Sequence, residues 1–112
     1  LAWAKKREKL FDIIVLDPPS FARFKGFSFN VQRDLDSLVE ASSAVLAPAG
    51  FLMVSSNYSA FRLENFAQKA LNNVKKICGN AQIIWKRSQS ADFVGTGLTK
   101  DSSLCAVLIQ NL

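Results

Sequence analysis

Two polar clusters interrupt otherwise apolar runs in this chain, and both contain residue types that can do chemistry. Asp17-Pro18-Pro19-Ser20-Phe21 follows the run F-D-I-I-V-L at Phe11 to Leu16, and Ser55-Ser56-Asn57-Tyr58 follows F-L-M-V at Phe51 to Val54. Two adjacent prolines hold φ near about −65° and remove two backbone donors, so the carbonyls there project rigidly as acceptors only. Such acceptors suit gripping an amino group. Asp17 adds a carboxylate for a substrate amine or a cationic cofactor, and Phe21 a ring face on which a base can stack. The same string also reads as a stiff turn that ends a strand, since proline cannot donate to a ladder.

Other chemistries are excluded or weaker. With no histidine in the chain, the commonest general base and metal ligand is missing, which removes zinc chemistry and Ser-His-Asp hydrolysis. Cys78 and Cys105 sit inside apolar patterns, where a free cysteine behaves as a small hydrophobe. No disulfide is expected, and neither thiol is expected at the sheet edge beside Asp17. Lys5, Lys6, Arg7 and Lys9 form a basic cluster, and Arg23 and Lys25 lie just past the prolines; both groups can meet phosphates, although a solvated helix face accounts for the first. Trp3, Trp85 and most phenylalanines read as core. Gly95-Thr96-Gly97 is too short for a phosphate loop and reads as flexibility in a lid.

The elements that must position these residues fit one domain. The chain has 112 residues, 49% hydrophobic and 21% charged, which is a globular composition. Its net charge of +5 permits attraction to a polyanion. It carries no signal peptide, no cysteine framework and no apolar run of the roughly 18 residues a membrane span needs, so a cytoplasmic protein without a membrane partner is expected. Leu1 to Leu10 reads like the tail of a helix already under way, as if excised from something longer.

Phe11 to Leu16 has the continuous apolar character of a central strand buried on both faces. Ser20 to Asn30 reads as a polar connection. Val31, Leu35, Leu38, Val39, Ser42, Val45 and Leu46 recur at three and four, predicting a helix capped by Asn30 and stopped by Pro48 with Gly50. A strand over Phe51 to Val54 follows. Leu63, Phe66, Ala67, Ala70, Leu71, Val74, Ile77 and Cys78 predict a second helix ended by Gly79. A strand over Ala81 to Lys86, a long loop over Ser88 to Ser103 and a strand over Leu104 to Ile109 complete the chain. Strands alternating with helices predict a parallel α/β sheet with right-handed crossovers, its last two strands pairing antiparallel at one edge. In such a sheet ligands bind beyond the carboxyl ends of the strands, where both polar clusters fall.

The stretch F-D-I-I-V-L-D-P-P-S-F-A-R, followed by N-V-Q-R-D-L-D-S-L and L-A-P-A-G-F-L-M-V-S-S-N, resembles the class I S-adenosylmethionine-dependent methyltransferases of the bacterial large-subunit ribosomal RNA cytosine methyltransferase group, over about residues 10 to 110. The resemblance implies a Rossmann-like methyltransferase fold of which this chain supplies the C-terminal half, from the fourth strand through the antiparallel seventh. Residues 1–112 would then be a single partial domain. The glycine-rich first strand and the acidic residue that holds the ribose would lie upstream. It implies S-adenosylmethionine as cofactor and RNA (ribosomal above all) as partner, and allows a homodimer through the parent protein; no metal is expected in a chain without histidine.

By the same resemblance Asp17, Pro18 and Pro19 line the methyl-transfer site, with Asp17 and Pro18 also toward the cofactor. Ser20 and Phe21 flank the site on the substrate side, and the last loop, near Asp92 and Asp101, sits where relatives carry polar residues that close over it; Arg23, Asn57 and Tyr58 are the further candidates for holding the substrate. Asn57 stands where a cytosine-C5 enzyme carries its cysteine nucleophile. Carbon-5 needs a thiolate added at carbon-6 before it can attack, whereas an amino or hydroxyl target needs only positioning against the methyl. Two other functions stay open: a non-catalytic nucleic-acid-binding or interaction module, and another Rossmann-type enzyme, such as a nicotinamide-dependent reductase using Asp17 and Tyr58.

Overall fold

The structure, a computed structural model, describes residues 9–19, 21–24, 26–57, 61–88 and 104–112. In chain order the elements are β1 (Phe11–Leu16), β2 (Phe21–Phe24), β3 (Phe27–Asn30), α1 (Val31–Ser43), β4 (Leu46–Ser56), α2 (Leu63–Cys78), β5 (Ala81–Ser88) and β6 (Cys105–Asn111). Four strands make one sheet in the order β1-β4-β6-β5. β1 pairs parallel to β4, and β6 pairs antiparallel to both β4 and β5. Three strands therefore run one way and the last runs against them.

The last two strands pair antiparallel at one edge of the sheet, as expected, with β6 on the inner side. It inserts between β4 and β5. Burial explains the choice: Cys105, Ala106, Val107 and Ile109 are all buried, which suits a strand with neighbours on both sides. β5 carries Lys86 and Arg87 and is mostly exposed, as an edge strand tolerates.

Both helices cover one face of the sheet. Val31, Leu35 and Val39 of α1 and Phe66, Ala70 and Val74 of α2 pack with Leu52, Val54, Val107 and Ile109 in one core. Since side chains alternate along a strand, Ile14 and Leu16 of β1 join this core while Ile13 and Val15 point away, 70% and 59% exposed. Among the described residues β1 is thus an edge strand with one apolar face open, whereas its composition predicts a central strand buried on both faces. No described element packs on that face.

Two boundaries differ from the pattern in the sequence. α1 stops at Ser43, well before Pro48, where Val45 N–H bonds to the Ser42 carbonyl at 3.1 Å. The hydroxyls of Ser42 and Ser43 bond back to Leu38 and Val39 carbonyls, the local competition by which serine loosens a helix end. Val45 and Leu46 are buried on the strand side instead. Ser20 to Asn30 is not simply a connection either, because β2 and β3 within it form an antiparallel hairpin. α2 ends as expected, with Gly79 at φ 92°.

Candidate active site

The pairing of Leu16 with Val54 sets the site's register: one residue further, Asp17 and Ser55 come together. Ser55 Oγ donates to Asp17 Oδ1 at 2.9 Å, and Ser55 is buried while Asp17 is exposed. The carboxylate is therefore anchored by one oxygen and open to solvent with the rest. Pro18 is half-buried and Pro19 exposed. A fixed carboxylate beside rigid carbonyl acceptors, at the carboxyl ends of two adjacent parallel strands, forms a site for cationic or N–H-bearing groups.

The hairpin rises directly from this motif. Phe21 is 55% exposed, and the Arg23 guanidinium lies 5.6 Å from its ring centroid. The pair presents a flat cation-bearing surface of the kind that stacks on bases. A hydrogen-bonded knot ties the hairpin to α1. Asn30 Oδ1 accepts from Gln32 and Arg33 N–H, capping the helix as its sequence position predicts. Asn30 N–H donates to Asp34 Oδ2 at 2.9 Å, and Arg33 Nη2 reaches both Asp34 and the Ser28 carbonyl. The Arg33 guanidinium, followed by the Asn30 N–H, holds the Asp34 carboxyl down at about 2.

Asn57 is exposed immediately after β4, at the same edge. Ser20, Tyr58, Asp92, Asp101 and the Gly95 to Gly97 stretch lie outside the described residues, as do Trp3, Lys5, Lys6, Arg7 and Lys25. Trp85 is 38% exposed on β5, so it is not the core residue its type suggests, whereas Phe21 is solvent-facing as a stacking ring must be. Ser55 is the site residue that sequence reasoning did not single out. Its cluster was visible, but which of three consecutive polar residues faces Asp17 depends on strand register.

Both cysteines are free, Cys78 half-buried and Cys105 buried, and burial pushes both thiols up. Cys105 nonetheless lies at the carboxyl edge, contrary to expectation. Because β6 runs against the other strands, its first residue falls opposite Ser56. Its side chain is turned inward, 1% exposed, with Sγ donating to the Phe61 carbonyl at 3.7 Å. Among the described residues no helix is long and apolar enough to cross a membrane.

This architecture, with its antiparallel strand inserted beside the site, is the fold of S-adenosylmethionine-dependent methyltransferases. The solved structure of SMU.776, provisionally named a methyltransferase and complexed with S-adenosylhomocysteine, superposes with a TM-score of 0.74 at 23% identity, over 97% of this chain and 28% of that one. In sequence the chain is similar to a Bacillus subtilis protein provisionally named ribosomal RNA large subunit methyltransferase YwbD, at 40% identity over 65 residues. It is also similar to the ribosomal RNA large subunit methyltransferase K/L of Pseudomonas entomophila, at 39% identity over 66 residues. These matches cover 58% and 57% of this chain but only 16% and 9% of the relatives' length. No family model matches the chain.

Proposed function

We propose that this chain is the C-terminal part of the catalytic domain of an S-adenosylmethionine-dependent methyltransferase acting on RNA, ribosomal RNA above all, with Asp17, Pro18 and Pro19 at the methyl-transfer site. The observation that carries the reading is the Ser55-anchored Asp17 carboxylate at the carboxyl ends of two adjacent parallel strands. The similarity to proteins named as ribosomal RNA methyltransferases supports the substrate class, and work on ribosomal RNA fits a cytoplasmic enzyme. The open apolar face of β1, with Ile13 and Val15, supports further strands and helices of the same domain packing there, among them those that grip the adenosine.

The donor set fits the cofactor. An exposed carboxylate and acceptor-only carbonyls suit a sulfonium and an ammonium, and Asp17 with Pro18 would hold that end of it. When bound, S-adenosylmethionine supplies an electrophilic methyl group. Asp17 then accepts a hydrogen bond from the target amino or hydroxyl group, orients its lone pair and takes up the proton that transfer releases. Ser55 fixes the carboxylate's rotamer. Pro18 and Pro19 carbonyls grip the second hydrogen of an amine. Phe21 stacks on a base, Arg23 lies beside it for phosphate or base contact, and Ser20, Asn57 and Tyr58 flank the substrate. An amide at position 57 is no nucleophile, which favours direct transfer over a covalent adduct. Methyl transfer from radiolabelled cofactor to unmodified ribosomal RNA by the full-length protein tests the reading. Label in the RNA is expected, and none under conditions where the cofactor binds would overturn it.

A further inference from the structure

We infer that the groove between α1 and α2 is a second nucleotide site, taking one unpaired base of the same RNA strand whose target lies at Asp17; the inference rests on the RNA reading above. The groove has a cavity volume of about 290 Å³. That is at the small end of the about 300–1,000 Å³ of ligand pockets, so it admits one ring system with an attached group and excludes a folded peptide segment.

Its floor is apolar, from Val31 and Leu35 of α1 and Phe66 of α2. At the mouth the Phe61 ring sits 5.5 Å from Phe66, tilted by 41°. Arg62 and Asn65 line the same mouth. Both side chains are exposed and make no hydrogen bond or ion pair with any described residue. At the far end the Asp36 carboxylate is already committed, to Asn73 Nδ2 at 2.8 Å and Lys69 Nζ at 3.2 Å. An aromatic floor, an uncommitted amide and an uncommitted guanidinium are the equipment for stacking a base, reading its edge and meeting its phosphate. A bare anion would have no use for the floor, and a lipid or alkyl ligand none for the rim.

The location fits one strand reaching both sites. α2 follows β4 from the carboxyl edge, and α1 follows the β2–β3 hairpin that leaves the same edge after β1. The Phe61 carbonyl accepts from Cys105, Cys105 lies opposite Ser56, and the adjacent Ser55 holds Asp17. The groove mouth is therefore reached from Asp17 by crossing the sheet edge.

The test uses the full-length protein and a fluorescein-labelled single-stranded RNA of about ten nucleotides, read by anisotropy. The Arg62→Ala/Asn65→Ala pair should raise the RNA Kd about tenfold and flatten its salt slope by about one, with cofactor Kd unchanged. Asn65→Trp, which plugs the mouth without touching the core, should weaken RNA to a similar degree. A series of RNAs with a single abasic nucleotide should include one that binds wild type more weakly and the paired variant no more weakly still. RNA Kd within twofold of wild type for both variants, or insensitivity to every abasic position, would overturn the site. Because the readout is binding, it stands apart from activity: a pocket-dependent Kd in a protein that methylates no RNA would sink the methyltransferase reading and leave this one.

Discussion

Ser55 Oγ donates to Asp17 Oδ1 at 2.9 Å, joining the ends of two parallel strands that lie 38 residues apart in sequence. The bond turns a solvent-facing carboxylate into a directed one. In the full-length protein Asp17→Ala should lower methyl transfer by at least about a hundredfold, the loss of a positioning or proton-handling group. Ser55→Ala should cost about tenfold, roughly 1.4 kcal/mol of transition-state stabilisation. Radiolabel incorporation and a melting curve check both, since an exposed Asp17 predicts an unchanged midpoint. Equal losses for the two variants would remove the distinction between acting and positioning groups.

Residues 1–112 alone should bind S-adenosylmethionine far more weakly than the full-length protein. β1 ends the sheet of the described residues with Ile13 and Val15 uncovered, so the face on which adenosine-gripping elements would pack is open. Calorimetric titration settles it: low-micromolar binding by the isolated chain would mean that the main cofactor contacts are already here.

No covalent RNA adduct should form through this chain. Cys105 lies at the right edge but faces the core, and Cys78 is half-buried against the Ser43 carbonyl. Burial raises both thiols, leaving little thiolate. RNA carrying 5-fluorocytosine, which traps thiolate addition at carbon-6, should give no stable complex mapping to either residue, and replacing both by Ala or Val should leave the rate within a few fold. An adduct on Cys105 would require its side chain to turn outward during the reaction.

Gly50→Ala should destabilise the chain by about 1–3 kcal/mol, the usual cost of overpacking. A Cβ there would stand 2.8 Å from the Ala47 carbonyl oxygen and 3.1 Å from that of Asp12 in β1. Neither is a flexible side chain, so backbone must move. Urea unfolding measures the change, and a midpoint equal to wild type would show that the β1–β4 approach relaxes freely.

Acid should loosen the junction between hairpin and helix. Asp34 has its carboxyl at about 2 in the folded chain, against about 3.9 unfolded. A depressed carboxyl contributes stability that is complete above the unfolded value and lost as pH falls toward the folded one. Asp34→Asn should therefore lower the urea midpoint at pH 6, by a modest amount because the ion pair is exposed, and the gap should close between about pH 4 and pH 2. Curves that stay parallel down to pH 2 would assign the effect to something other than this carboxylate.

Local pattern in the sequence was enough to determine the two helices, the Asn30 and Gly79 caps, the cores of β1, β4, β5 and β6 and the strand-end location of Asp17, because periodicity, caps and prolines act within a few residues, but not the β2–β3 hairpin or the point where α1 gives way to β4. The antiparallel pairing of the last strand was legible from the missing helix before it. What only the tertiary structure decided depends on partners far away in the chain. β6 takes the inner position over β5, because its buried side chains need neighbours on both sides. Register makes Ser55, and not Ser56 or Asn57, the partner of Asp17. The reversal of β6 brings Cys105 to the edge, and the uncovered face of β1 exposes Ile13 and Val15, since alternation says which residues share a face but not whether anything packs against it.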